Sequence, residues 1–322
     1  MPGPAPKQAA VAVTSRSFSR HPTLRAELQS EYADVRFNDD GIALSGATLV
    51  DFLAASQKAI IGLERIDLHL LDALPDLKVI SKYGVGLDNV DLAALEQRGV
   101  LLGWTGGVNK RSVSELVIAL MITLLRKLPE AHRAVSDGPW HNVFGRQLSD
   151  CTVGIVGCGH VGMDLATLLR AFGTRVLAYD IADRSGFYAA NAIEGVTLEE
   201  LLARSDVVTL HVPLDESTRS LMNTDRLALM KQGAYLVNAA RGGLVDETAL
   251  AECLRSGSLA GAACDVFEQE PPVGSPLLGL PTFIGTPHIG GSAEEAILAM
   301  GRSAIDGLDS AVPALHYASD SR

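Results

Sequence analysis

Cysteine occurs only four times in 322 residues, at Cys151, Cys158, Cys253 and Cys264, with no CxxC pair and no metal-ligand spacing. That excludes a disulfide scaffold and a zinc module. The apolar surroundings, such as AGAACDV around Cys264, fit small buried thiols in a reducing compartment, so the expected location is cytoplasmic. Basic charge is also short: 27 Lys and Arg face 38 Asp and Glu, a formal net charge of -11. Binding a phosphate backbone needs the opposite balance, which argues against nucleic acid as the main partner, although a locally basic pocket can still hold an anionic metabolite. No stretch approaches the ~18 uninterrupted apolar residues of a membrane span. The opening MPGPAPKQAA has no apolar signal core and reads as an unstructured lead-in. Neither a solenoid repeat nor a low-complexity run is present.

What remains is the composition of an ordinary globular protein, 47% apolar and 20% charged, long enough for two cores. Short apolar strands alternate with amphipathic helices over the first hundred residues. VAVTS (11–15), KAIIG (58–62), KVISKY (78–83) and GVLLG (99–103) read as strands; LRAELQS (24–30), LHLLDAL (68–74) and DLAALEQRG (91–99) read as helices. Such alternation implies a parallel sheet covered by helices, an α/β fold. A helix apolar on most of its circumference follows at 112–128, to be buried between domains or against another subunit. After the polar, aromatic stretch 136–150, a second series begins, with strands at 152–157, 175–180, 207–211, 234–238, 261–266 and 282–285. A helix at 292–308 and a short polar tail close the chain.

The strongest local signal is Gly157-Cys158-Gly159-His160-Val161-Gly162, directly after the strand VGIV and directly before the helix MDLATLLRAFG. A GxGxxG alone is weak evidence; in this setting each glycine has a task. The first permits the tight turn, the second lets backbone approach a pyrophosphate at the helix N-terminus, and the third lets helix and strand pack closely. The next strand, RVLAYD, ends on Asp180, eighteen residues beyond Gly162, where an acid accepts the ribose hydroxyls and repels a 2′-phosphate. No arginine is adjacent, Arg184 being the nearest, so NAD is favoured over NADP.

Three further segments each end a strand of this second series: VNAARGGLVDE with Arg241, DVFEQEPP with Asp265 and Glu270, and TPHIGGS with His288. Oxidising a secondary alcohol needs a base for the hydroxyl proton, and imidazole suits that task. A carboxylate on its other nitrogen holds the tautomer, and a planar guanidinium grips an α-carboxylate. Arg241, Glu270 and His288 supply these groups. Taken singly each has an ordinary alternative: a surface ion pair, a loop carboxylate before prolines, a satisfied core histidine. Their joint position at successive strand ends of one nucleotide-binding sheet points to a site.

SKYGVGLDNVD (81–91), VGIVGCGHVG (153–162), LHVPLDESTR (210–219), LVNAARGGLVDE (236–247), AACDVFEQEPP (262–272) and TPHIGGS (286–292) run in the order of the D-isomer-specific 2-hydroxyacid dehydrogenase family, which the chain resembles from about residue 11 to 310. The resemblance implies that Arg241 binds substrate, Glu270 is the carboxylate partner and His288 the acid–base group. It implies that Asp265 holds the nicotinamide carboxamide and that Ala239 and Ala240 line the nicotinamide pocket. Gly157, Gly159, His160, Val161, Gly162, Asp180, His211, Val212, Pro213, Thr218, Arg241, His288 and Gly290 then border the cofactor. It further implies a Rossmann domain (105–288) inserted in a flavodoxin-like substrate domain (1–104 and 289–322), with the helices at 112–128 and 292–308 crossing between domains, and a homodimer formed mainly through the cofactor domains.

For the substrate, Val85 and Gly86 in YGVGLD can offer consecutive backbone N–H groups to a carboxylate. Within the family, GLERID (62–67) and GGVNKRSVSE (106–115) lean towards the phosphoglycerate dehydrogenase branch, where Lys110 and Arg111 offer charge to a second anionic group or simply form a solvated basic pair. One departure stands out: many such enzymes carry a basic residue after the GL, where this chain has Glu64. The chain is also expected to lack room for a regulatory domain after the last helix. Phosphoglycerate-like acids, hydroxypyruvate, glyoxylate and bulkier 2-oxo acids all remain open. A reading from another class, a non-catalytic NAD(H)-sensing corepressor, is opposed by the intact Arg241, Glu270 and His288.

Overall fold

A computed structural model describes residues 6–138 and 140–318. The first half of the expected lead-in and the end of the expected tail lie outside these residues, as does Pro139 in the aromatic stretch. Two compact units result, Met1–Asn109 with Glu294–Arg322, and Lys110–Ala293. Their borders fall at 109/110 and 293/294, where the sequence placed them at 104/105 and 288/289.

The first unit is built on five parallel strands, β1 (Val11–Val13), β2 (Val35–Phe37), β3 (Lys58–Ile61), β4 (Val79–Lys82) and β5 (Leu101–Gly103), in the order β2-β1-β3-β4-β5. That is the flavodoxin-like order. Side chains alternate across the sheet: Ala12, Ala59, Ile61 and Ile80 enter the core on one face, and Val11, Val13 and Ile60 the core on the other. Burial on both faces is why these strands read as continuous apolar runs. β2 was missed, its VRF carrying one buried residue in three.

The closing helix, Glu294–Ser310, covers this first sheet rather than spanning 292–308. A Cβ on Gly103 would lie 2.1 Å from the Gly307 carbonyl oxygen, so helix and β5 touch main chain to main chain. Its end is pinned by Asp309, which accepts from Lys58 Nζ (2.8 Å), Tyr32 Oη (2.8 Å) and Lys7. Burial alone would raise this carboxyl, but the bonds from Lys58, Lys7 and Tyr32 outweigh it and hold it at about 2. A carboxyl depressed on folding stabilises above the ordinary range, near ~4, and that contribution is lost as pH falls towards the folded value. Thermal melts between pH ~4 and ~2 should therefore show a steeper loss of stability in the native chain than in Asp309→Asn; parallel curves would contradict the assignment.

The second unit carries β6 (Thr152–Val156), β7 (Arg175–Tyr179), β8 (Glu194–Gly195), β9 (Val207–Leu210), β10 (Ala234–Asn238), β11 (Leu259–Cys264) and β12 (Phe283–Gly285). They are parallel, in the order β12-β11-β10-β9-β6-β7-β8. Counted from β6, this is the dinucleotide-binding order 3-2-1-4-5-6 with one strand added. Again both faces are buried, Tyr235 and Val237 on one and Leu236 on the other.

The long helix runs Lys110–Leu125, not 112–128, because Lys127 takes a left-handed conformation (φ 51°) and a new helix, Leu128–Ser136, begins there with Pro129 in its first turn. Val117, Met121 and Leu124 join the sheet core of the second unit, so its apolar surface is buried within that unit.

Candidate active site

The glycine turn separates into three physical roles. Gly157 has φ +92°, and a Cβ there would lie 2.6 Å from Val212 and 2.7 Å from the His211 backbone. A Cβ on Gly162 would lie 2.1 Å from the Gly157 carbonyl oxygen, so strand and helix meet with no room for a side chain. On Gly159, by contrast, a Cβ would meet no protein atom within 4 Å. Gly159 is also the N-cap of the helix His160–Ala171 and provides no side-chain cap. Open space over uncapped N–H groups is what a pyrophosphate requires, so these residues fit a dinucleotide. Gly162→Ala should lower thermal stability by roughly 1–3 kcal/mol. Gly159→Val should melt like the native protein and yet weaken NADH binding in a fluorescence titration.

Asp180 ends β7 beside this turn. Its carboxylate accepts from Cys158 N (2.6 Å) and Ala182 N (2.8 Å), with Arg184 Nε at 3.8 Å. It is thereby locked against the glycine turn. Ile181 follows, 87% exposed, an apolar platform beside the ribose acid that sequence reasoning noted only as not being arginine. Cys158 is inert: burial first, then the charge of Asp180, pushes its thiol up to about 11. Beyond β9, His211 bonds the Thr209 hydroxyl (3.0 Å), and desolvation pushes its imidazole down to about 3, so it is neutral. Val212 and Pro213 are half-buried. Thr218 donates to the Pro213 carbonyl (2.8 Å) and accepts from Asp215 N (2.8 Å), so its hydroxyl shapes the loop.

At the end of β10 the buried Asn238 holds the next loop at both ends, accepting from Ala240 N (3.1 Å) and donating to the Arg241 carbonyl (2.9 Å). Ala239 is buried and Ala240 half-buried, while Arg241 Nη1 bonds the Ala240 carbonyl (2.7 Å). A Cβ on Gly242 would fall 1.8 Å from the Phe267 carbonyl oxygen. The loop bearing Arg241 therefore lies main chain against main chain on the loop bearing Glu270. Asn238 and Gly242 escaped the sequence reading; an amide ending a wholly buried strand was the available signal.

His288 has φ +54°, a left-handed conformation that costs a branched-ring residue energy and persists only where the surroundings impose it. Asp265 imposes it. Only 1% exposed, it accepts from Thr286 Oγ1 (2.6 Å), Ile289 N (2.8 Å) and Gly290 N (2.7 Å), and its own carbonyl accepts from His288 N (2.8 Å). Three of a carboxylate's roughly four lone-pair sites are thus spent on the His288 loop. Ser112, in the first turn of the long helix, donates to the Gly290 carbonyl (2.6 Å) and steadies the same loop. Glu270 Oε2 lies 2.8 Å from His288 Nδ1, while its Oε1 accepts from Phe267 N (3.1 Å). Both side chains are part-exposed, 47% for His288 and 39% for Glu270. With Nδ1 facing the carboxylate, Nε2 is the nitrogen left for proton exchange.

All these segments leave the carboxyl ends of β12, β11, β10, β9, β6 and β7, six consecutive neighbours in the sheet. In the first unit, Val85 and Gly86 are half-buried, and among the described residues nothing accepts a hydrogen bond from their N–H groups. Arg111 has other work than the one expected. Its guanidinium makes a bidentate pair with Asp164 (2.9 and 2.8 Å), whose carboxyl that bond holds below its usual range, and the charge of Lys110 bears on the same acid. The guanidinium fork of Arg111 is thus filled from within its own unit, while Lys110 is exposed.

The sequence profile described as D-isomer specific 2-hydroxyacid dehydrogenase, NAD binding domain, matches residues 118–290. A D-3-phosphoglycerate dehydrogenase of Archaeoglobus fulgidus is 41% identical over 240 residues, 74% of this chain and 46% of its own. This chain therefore spans about half the length of such relatives. A glyoxylate reductase of Thermofilum pendens is 40% identical over 241 residues, covering 72% and 71% of the two chains. Among solved structures, a glyoxylate reductase from Paecilomyes thermophila superposes with TM-score 0.83 at 28% identity, over 94% of this chain and 95% of that one. With the strand order, the glycine turn and the His288–Glu270 pair already in place, these likenesses make the chain a member of the D-isomer specific 2-hydroxyacid dehydrogenase family.

Proposed function

We propose that the protein is an NAD-dependent oxidoreductase that interconverts a small 2-oxo acid and its D-2-hydroxy acid. The observation that carries this is His288, forced into a left-handed conformation with Nδ1 on Glu270, in the same unit as a turn that fits a dinucleotide. When bound, the nicotinamide supplies or accepts the hydride. In the reducing direction, protonated His288 gives its Nε2 proton to the substrate oxygen as carbon 2 gains the hydride. Glu270 stabilises the imidazolium beforehand and keeps Nδ1 protonated afterwards. Arg241 grips the α-carboxylate and draws electron density from the adjoining carbonyl. Val85 and Gly86, in the first unit, are assigned the role of backbone N–H donors to a substrate anion. Asp265 holds the His288 loop and has one lone-pair site left for the cofactor's carboxamide. An absorbance screen of NADH and NADPH against 2-oxo acids tests the reading: NADH should be consumed with at least one, and none consumed with any would end it.

The working form is a homodimer. Trp140 and Phe144, 84% and 81% exposed, with the exposed Leu128 and Val135 close by in sequence, are the large apolar side chains we assign to the subunit contact. Double replacement, Trp140→Ser with Phe144→Ser, should yield monomers in sedimentation velocity; a native monomer would contradict this. The four cysteines are free thiols and no described helix can cross a membrane, in keeping with a cytoplasmic protein. The acidic surface is in keeping with the absence of a nucleic-acid partner.

A further inference from the structure

Val85 and Gly86 stand on the loop after β4, and the two ends of that loop are fixed. At the near end Tyr83 N donates to the Ile61 carbonyl (2.9 Å). At the far end Leu87 is buried, and Asn89 donates to the carbonyls of Gly62 (3.2 Å) and Glu64 (2.5 Å). Between them Gly84 takes φ +123°, a conformation open to glycine and costly for any other residue. The middle of the loop is held from outside it, by Trp104, whose indole Nε1 donates to the Val85 carbonyl (3.2 Å). Trp104 directly follows β5, which pairs with β4 in the sheet.

That bond sets more than the carbonyl. The Val85–Gly86 peptide is trans, and in a planar trans peptide the C=O and the following N–H point in opposite directions. With the carbonyl turned onto the indole, the Gly86 N–H is turned away from it, and no described residue accepts from that N–H. Any rotation of this peptide swings the donor by the same angle. The indole therefore decides where the donor aims.

The indole is itself wedged. Tyr317, at the end of the one-turn 3₁₀ helix Ala314–Tyr317, meets it edge to face, ring centres 5.3 Å apart and planes at 79°. The chain is brought there by Val312, which exchanges two backbone bonds with Leu102 of β5 (2.9 and 3.1 Å). Ala314 is fully buried in the core against which both Trp104 and Tyr317 pack.

We infer that Trp104 is a positioning residue for the substrate: its N–H fixes the peptide plane that aims the Gly86 donor, and Tyr317 keeps the indole in place. This rests on the oxidoreductase reading and on the donor role given to Val85 and Gly86. A seat for the substrate anion is used alike before and during hydride transfer, so loosening it raises KM and leaves kcat alone.

The test is steady-state kinetics of Trp104→Phe, Tyr317→Ala and Tyr317→Phe with NADH and glyoxylate, or the next smallest 2-oxo acid that the native protein reduces. Glyoxylate has no side chain, so its KM reports on the carboxylate contacts. Trp104→Phe keeps an aromatic ring and loses the donor; it should raise that KM about three- to tenfold, with kcat and the KM for NADH unchanged. Tyr317→Ala should raise it as well, and Tyr317→Phe, which keeps the ring, should restore the native value. A native KM for the 2-oxo acid in Trp104→Phe would overturn the inference. So would a fall in kcat or a rise in the KM for NADH accompanied by a lower melting temperature, which would make the indole an ordinary core residue. Both outcomes leave the oxidoreductase reading standing. A native protein that consumes no NADH with any 2-oxo acid removes that reading, and this inference with it.

Discussion

Replacing His288 by alanine is expected to lower turnover by about 10²–10⁴-fold while leaving NADH binding intact. The imidazole is the only group in the constellation whose Nε2 is left open by its Nδ1 contact, 2.8 Å from Glu270. Nothing on the glycine turn or Asp180 depends on it, so the dinucleotide has no reason to bind less well. Glu270→Gln separates two accounts of the pair. The amide keeps the size of the side chain and an oxygen for Phe267 N, but loses the charge that favours the imidazolium. An intermediate loss in kcat, with KM for NADH unchanged, identifies an electrostatic partner. A loss equal to that of His288→Ala would mean that Glu270 chiefly aims the ring.

The second large effect is expected at Asp265, which touches three donors of the His288 loop. Asp265→Ala leaves Thr286 Oγ1, Ile289 N and Gly290 N without an acceptor at a position 1% exposed. A buried donor stripped of its partner costs roughly 1–3 kcal/mol, so the chain should lose several kcal/mol in denaturant unfolding. The loop is also free to relax from the left-handed conformation at His288, which moves the imidazole away from Glu270. Activity should therefore fall more than the population of folded protein does. Asp265→Asn keeps one acceptor and should lie between. If Asp265→Ala lost activity only in proportion to unfolding, the residue would be a general core contributor and not the one that sets the His288 loop.

The parts of the fold that could be read in the sequence are those where one signal dominates. The strands are apolar runs because both sheet faces are covered, and the glycine turn lies where strand gives way to helix. β2 and β8 were illegible for the opposite reason: VRF buries only Phe37 and EG nothing, and pairing along a sheet edge leaves no periodicity. The end of the long helix was misplaced because its apolar pattern runs on past Lys127, and only the left-handed turn there, with Pro129, breaks the backbone. In the site, Arg241, Glu270 and His288 were legible as chemistry. The residues that place them were not: Asn238, Gly242, Thr286 and Ser112 act through main-chain contacts that carry no pattern. The partner of Arg111 was equally hidden, since a basic residue opening a helix says nothing about Asp164, fifty-three positions away, which fills its fork.

The central claim is that His288 delivers a proton while a hydride from the bound dinucleotide reaches carbon 2 of a 2-oxo acid. The most direct measurement follows the label: NADH deuterated on the transferring face of C4, incubated with glyoxylate, and the product examined by NMR. The account predicts glycolate carrying one deuterium on carbon 2 for each NADH consumed, formed about 10²–10⁴-fold more slowly by His288→Ala. Nucleotide that binds but never loses its deuterium to any 2-oxo acid would contradict it.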